Sequence, residues 1–147
     1  MDDCFRSVKP EKNVDFGKTA FLVDEFSSEF DRYIQANRTE KDELLLPLDG
    51  NRFKRANYAW NTGGFGRVSP SAYITAVRSI KSRRLAAQGA ARQKNLLATY
   101  EQLAASYAKK LRLDVLHVVV QQNLLPYLWR SGLLGGRTFD VLMTALP

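Results

Sequence analysis

Sulfur and imidazole chemistry are nearly absent from this chain of 147 residues, which has one cysteine, Cys4, and one histidine, His117. A lone cysteine excludes an internal disulfide, and it leaves neither a Cys-X-X-Cys redox pair nor a cysteine-based zinc site to be assembled from this chain. Long apolar runs are missing as well: "VLHVVV" and "LLPYLW" are short and are separated by Gln121, Gln122 and Asn123. That excludes the ~18-residue stretch from which a membrane-spanning helix is recognised. The first residues, "MDDCFRSVKPEK", lack the basic start and apolar centre of a secretory signal, so a cytoplasmic, reducing setting is expected. Acids become scarce after residue 50, where only Glu101, Asp114 and Asp140 remain. A paired-carboxylate hydrolytic site would have to draw on the first third of the chain.

What is present is basic and sharply divided. Residues 1–50 carry twelve acids and seven bases, whereas residues 51–147 carry fifteen bases and three acids, and residues 51–100 contain no acid. The second part creates a field that attracts anions, whether nucleic acid, acidic lipid or a phosphorylated small molecule. With 45% hydrophobic and 25% charged residues, the composition is that of an ordinary globular domain. Residues 1–13 read as a flexible lead-in and residues 14–147 as a single domain.

The order of elements favours an α/β fold, a Rossmann-like parallel sheet with one long, kinked helix. "KTAFLV" reads as a strand ended by Asp24, and Phe26, Phe30, Tyr33 and Ile34 follow at helical spacing. Leu44 to Leu48 is a compact apolar run interrupted by Pro47, which predicts an edge strand or an extended segment. Ser69 and Pro70 read as the cap and first residue of a helix reaching about Lys110. Forty unbroken residues would make a rod of roughly 60 Å, so a break is expected near Gly89. Leu96, Leu97, Tyr100, Leu103, Ala104, Tyr107 and Leu111 mark the apolar face of its second half, and Ile74, Val77, Ile80 and Leu85 that of its first. "DVLHVVVQQN" predicts a buried parallel strand, "LLPYLWRSGLLGGR" a short helix, and "TFDVLMTALP" a final short strand or helix.

Several stretches carry candidate chemistry. In "AWNTGGFGRVSPSAY", Gly63, Gly64 and Gly66 supply backbone that tolerates positive φ, and Arg67 adds a charge before the expected helix start. This is either an amide cradle for an anion or a flexible turn, since it matches neither the P-loop nor the dinucleotide pattern. Arg78, Lys81, Arg83, Arg84, Arg92 and Lys94 form either an electrostatic track for a nucleic-acid backbone or a solvated helix face. Few aromatics interleave with them, unlike a single-strand binding surface. His117, in mid-strand, is either a hydrogen-bonded core histidine or a catalytic base. Gln121, Gln122 and Asn123 stand at a strand end, where amides hydrogen-bond a ligand or cap the next helix. Gly135, Gly136 and Arg137 repeat the theme of paired glycines and arginine, as a second loop for the same anion or as a helix terminus.

"HVVVQQNLLPYLWRSGLLGGRTFDVLMTALP" and "AWNTGGFGRVSPSAY" resemble segments of bacterial glycosyltransferases of the GT-B architecture, which are built from two Rossmann-like domains. The resemblance covers much of residues 14–147 and implies an N-terminal, acceptor-side domain. It implies that Gly63, Gly64, Gly66 and Arg67 approach an anionic group, and that Gln121, Gln122 and Asn123 bind a sugar or acceptor. Arg137 would contribute outer charge and His117 an acid–base group. No cofactor or metal ion is implied. The donor-binding domain of such enzymes is not expected within these residues: the sequence is a piece of a longer chain, a partner supplies the rest, or a related fold serves for binding alone, and by itself this part is expected to be incomplete for catalysis. Two other readings make different use of the same residues. One is a small basic protein binding RNA or DNA along Arg78 to Lys94. The other is a subunit that docks through the long helix and the apolar Phe139, Val141, Leu142, Met143 and Leu146.

Overall fold

The computed structural model describes residues 17–84 and 89–144. Five strands form one all-parallel sheet: β1 (Lys18–Leu22), β2 (Glu43–Leu46), β3 (Arg67–Pro70), β4 (Val115–Gln121) and β5 (Thr138–Leu142), in the order β3-β2-β1-β4-β5. The fold is therefore α/β and Rossmann-like. The α-helices among the described residues are α1 (Ser28–Asn37), α2 (Ala72–Arg84), α3 (Gly89–Lys110) and α4 (Leu125–Arg130). The expected lead-in over residues 1–13 lies outside the described residues.

Both faces of the sheet are covered, which is why β1, β2 and β4 read as nearly continuous apolar runs. On one face Ala20, Leu22, Leu45, Val118 and Val120 meet Leu103, Ala104 and Tyr107 of α3 and Leu128 of α4. On the other, Phe21, Val23, Leu44, Leu46 and Val119 meet Phe30 and Ile34 of α1 together with Trp60. The cap of α1 is Ser27, whose hydroxyl accepts from the Phe30 amide.

Three expectations about the elements are corrected. The Leu44 run is not at an edge: β2 lies between β1 and β3, because the strand ends before Pro47 reaches the ladder. Ser69 and Pro70 do not start a helix. They end β3, an edge strand that can dispense with the proline N–H, and the helix begins at Ala72. The buried stripe of α2 is also polar, consisting of Thr75 and Arg78 with Ser71 before it, while Ile80 is half exposed. The expected break near Gly89, and Leu85 of the expected apolar face, fall at residues 85–88, which lie between α2 and α3 and outside the described residues.

Candidate functional site

The chain leaves β1 towards α1 on one face and leaves β4 towards α4 on the opposite face. Adjacent parallel strands whose connections diverge in this way define a switch point, and open α/β sheets bind ligands outside the carboxyl ends of the strands there. The residues at this point are Val23, Asp24 and Glu25 after β1 and Gln121, Gln122 and Asn123 at and after the end of β4.

Asp24 is the centre of the arrangement. It is 1% exposed, and its carboxylate is held by Arg78 through two contacts, Nη1 to Oδ1 at 2.7 Å and Nη2 to Oδ2 at 3.1 Å. Its backbone is fixed by side chains as well. The Asp24 amide donates to Gln121 Oε1 at 2.7 Å, and Trp60 Nε1 donates to the Asp24 carbonyl at 2.8 Å. Gln121 Nε2 in turn donates to the Glu25 carbonyl at 3.1 Å, so this one amide ties the exits of β1 and β4 together. The Tyr107 hydroxyl donates to the Val23 carbonyl at 2.6 Å from the α3 side.

These contacts have electrostatic consequences. Burial alone would lower the pKa of Arg78, but the hydrogen-bonded charge of Asp24 outweighs it and raises the pKa, locking the guanidinium in its charged form. Burial pushes the Tyr107 hydroxyl well above its usual range, with the Asp24 charge adding to the shift. Tyr100 is raised for the same two reasons. It lies with its ring 5.7 Å from the Arg78 guanidinium carbon and accepts from Asn123 Nδ2 at 3.4 Å. A continuous polar path thus runs from buried Asp24 through Arg78 and Tyr100 to exposed Asn123, with exposed Glu25 beside it.

The helix that delivers Arg78 crosses this carboxyl edge. The Ser71 amide donates to the Leu46 carbonyl at the end of β2, Thr75 Oγ1 donates to the Pro47 carbonyl at 2.6 Å, and one turn later Arg78 reaches Asp24 after β1. The polar stripe of α2 follows from that path, because a helix lying over strand ends meets carbonyls and carboxylates in place of apolar side chains.

The remaining sequence candidates lie elsewhere. Gly63, Gly64 and Gly66 precede β3, so they sit at the amino edge, at the other end of the strands from Gln121. There the Gly64 carbonyl accepts from Arg38 Nη1, and the Gly66 amide donates to the Asp42 carbonyl. Arg67 binds Glu43 Oε1 at 3.0 Å and the Lys110 carbonyl at 3.1 Å. Arg137 clamps the carbonyls of Arg112, Val115 and Leu133 at that same edge. The two glycine-arginine stretches therefore share an edge with each other but not with Gln121, Gln122 and Asn123. His117 faces the α1 side of the sheet, part exposed, between Thr138 Oγ1 at 2.6 Å and Asp140 Oδ2 at 3.0 Å on β5. It stands four residues before Gln121, roughly 13 Å along the strand. Lys81 and Lys94 are exposed, while Arg78 is turned inward. The side chains of Arg83, Arg84 and Arg92 lie outside the described residues.

Asp24, Glu25 and Tyr100 did not stand out as site residues in the sequence. The usable signal was the acidic pair directly after a predicted strand; that its partner would be an arginine 54 positions away has no local signature. Among the described residues no group of three or more His, Cys, Asp or Glu could hold a metal ion, and no helix is long and apolar enough to cross a membrane. Comparison of the chain with models of known protein families, with curated proteins and with solved structures finds no match.

Proposed function

We propose that this is the acceptor-side domain of a GT-B-like glycosyltransferase, acting in the cytoplasm and binding a sugar, sugar nucleotide or glycan acceptor at the carboxyl edge between β1 and β4. The reading rests on one observation: the polar cluster of Asp24, Arg78 and Gln121 stands at the switch point of a β3-β2-β1-β4-β5 sheet. A buried ion pair is a poor way to gain stability, but it is an effective way to hold the two strand exits in fixed register. The groups left facing solvent, Glu25, Asn123 and part of Gln122, pair with sugar hydroxyls, and Tyr100 offers an aromatic face. In this reading Glu25 is the carboxylate placed to take a proton from an acceptor hydroxyl. A second domain, on a longer chain or a partner, supplies the donor site.

The test is a thermal-shift titration of the chain with a panel of nucleotide sugars, neutral oligosaccharides and a short RNA, at low and moderate salt. Stabilisation by a sugar-bearing ligand, lost in Asn123→Ala and Gln122→Ala, is expected. Stabilisation by RNA alone, disappearing as salt rises, would overturn the reading in favour of a nucleic-acid surface that includes Lys81 and Lys94.

A further inference from the structure

The segment between β2 and β3 leaves the sheet at the carboxyl edge, where β2 lies beside β1. Its first part closes on itself. The Phe53 amide donates to the Asp49 carbonyl at 3.1 Å, the Arg55 amide to the Gly50 carbonyl at 2.7 Å, and the Gly50 amide to the Tyr58 carbonyl at 3.0 Å. Asp49 Oδ1 accepts from the Arg52 amide at 3.2 Å, and Asn51 Nδ2 donates to the Trp60 carbonyl at 3.0 Å. Lys54, at φ +56°, is the one non-glycine residue in the left-handed region among the described residues, and it turns the chain after a single helical turn. The neck is tight: a Cβ on Gly50 would come within 2.3 Å of the Tyr58 backbone. Residues 51–57 are all exposed, so this loop has a fixed backbone but gives none of those side chains to the core.

We infer that the loop is the anion-recognition element of the carboxyl-edge site and that the ligand of that site is a sugar bearing a phosphate monoester, an inference that rests on the carboxyl-edge reading and names its substrate class.

Three cations, Arg52, Lys54 and Arg55, stand within four consecutive positions. Among the described residues none of them makes an ion pair. Arg52 lies over the Phe53 ring at 5.3 Å, which leaves its charge uncompensated. The Cα atoms of the three are at most about 11 Å apart, within the combined reach of such long side chains. Asp49 is the one acid between residues 44 and 100. Counting both Asp49 and Glu25 against the three cations leaves one positive charge in excess, which a phosphate monoester, at about −1.5 to −2, meets. Its three peripheral oxygens accept from three donors, whereas a carboxylate offers two oxygens in one plane. Phe53 is the one aromatic residue of the exposed run, too few for a nucleic-acid strand, which stacks successive bases.

The loop also returns to the switch point. The Phe26 amide donates to the Asn57 carbonyl at 2.8 Å, next to Glu25. The Tyr58 hydroxyl lies 3.5 Å from Arg78 Nη1. Burial raises its pKa, Arg78 opposes the rise, Asp24 and Glu25 add to it, and Arg55 opposes it. Arg55 and Glu25 thus flank one hydroxyl without pairing with each other, and a phosphate held at Arg55 leaves the hydroxyls of its sugar to Glu25.

The experiment is calorimetric titration of the full chain with the 1-phosphates of glucose, galactose and N-acetylglucosamine, with each parent sugar, and with glucuronate. At least one ester is expected to bind about tenfold or more tightly than its parent sugar and than glucuronate. Lys54→Gly, which suits the positive φ, and Arg55→Gln are each expected to weaken that ester about tenfold, the worth of one hydrogen bond to a charged group, with the melting temperature not lowered. Lys109→Gln, exposed on α3 at the amino edge, removes the same charge and is expected to have no effect. Asn123→Ala is expected to weaken ester and parent sugar alike. Equal binding of ester and parent sugar, both weakened by Asn123→Ala, overturns the phosphate and leaves the carboxyl-edge reading standing. Weakening of the ester by the loop variants but not by Asn123→Ala overturns the shared site and that reading with it. Absence of binding by every ester, or equal weakening by Lys109→Gln, overturns the inference as well. So does pelleting of the chain with phosphatidylglycerol vesicles in the absence of ester binding, in favour of a membrane contact through Phe53.

Discussion

Asp24 shows how much depends on single side chains here. With its carboxylate 1% exposed and Arg78 the group that neutralises it, Arg78→Met leaves a buried charge without its partner. Urea denaturation is expected to show a loss of about 3–5 kcal/mol, and Asp24→Leu in the same chain should restore much of it, because a buried pair replaced by apolar groups costs little. Tyr107 gives a second measurable consequence. Its native pKa is raised well above 10.0 by burial, so above pH 10 the unfolded chain releases a proton that the native chain retains. The sign follows: this contribution to stability is complete below pH 10 and is lost as pH rises beyond it. Absorbance titration of tyrosinate should therefore show one late component, absent in Tyr107→Phe, that appears only with alkaline unfolding. Gly64, at φ +85° where a side chain is strained and a Cβ would displace the Arg38 guanidinium, should lose about 1 kcal/mol or more on replacement by alanine, and that loss would be structural.

The elements divide into those that apolar periodicity reveals and those it does not. β1, β2, β4 and α1 were legible because the sheet is covered on both sides and its inner strands are uninterrupted apolar runs. β3 was not: Arg67, Val68, Ser69 and Pro70 hold a single aliphatic residue, and Ser-Pro imitates a helix start one strand too early. The polar stripe of α2 was illegible for a related reason, since Thr75 and Arg78 are buried against strand ends, which no pattern of apolar residues records. The candidate site was legible in part. Gln121, Gln122 and Asn123 stood out as a polar group ending an apolar strand. The two glycine-arginine loops were read as serving one anion, the first of them just before a helix; the strand found in that helix's place carries the chain from one edge of the sheet to the other. Two substitutions check which helix faces are buried. Leu103→Ala on α3 should cost about 2–5 kcal/mol, whereas Ile80→Ala on α2, half exposed, should stay within about 0.5 kcal/mol. Thr75→Val, which leaves the Pro47 carbonyl without its 2.6 Å donor, should cost about 1–3 kcal/mol despite similar shape.

Taken whole, the molecule presents two chemically different ends of one parallel sheet. The carboxyl end is built around a buried, neutralised ion pair with exposed amides and a carboxylate, a setting for hydroxyl groups. The amino end gathers Lys18, Lys41, Arg67 and Arg112 around one buried glutamate. A net charge of +7 raises the local concentration of any anion, so affinity alone does not distinguish the ends; position does. The most direct measurement is a chemical-shift map of the isotope-labelled chain titrated with a panel of neutral oligosaccharides and nucleotide sugars. The account predicts that the amides of Glu25, Gln122, Asn123 and Tyr100 move together for at least one of these ligands, and that Arg78→Met abolishes the response. Shifts confined to Lys81, Lys94 and their helical neighbours, or to the loop from Gly63 to Gly66, with the switch point silent, would contradict it.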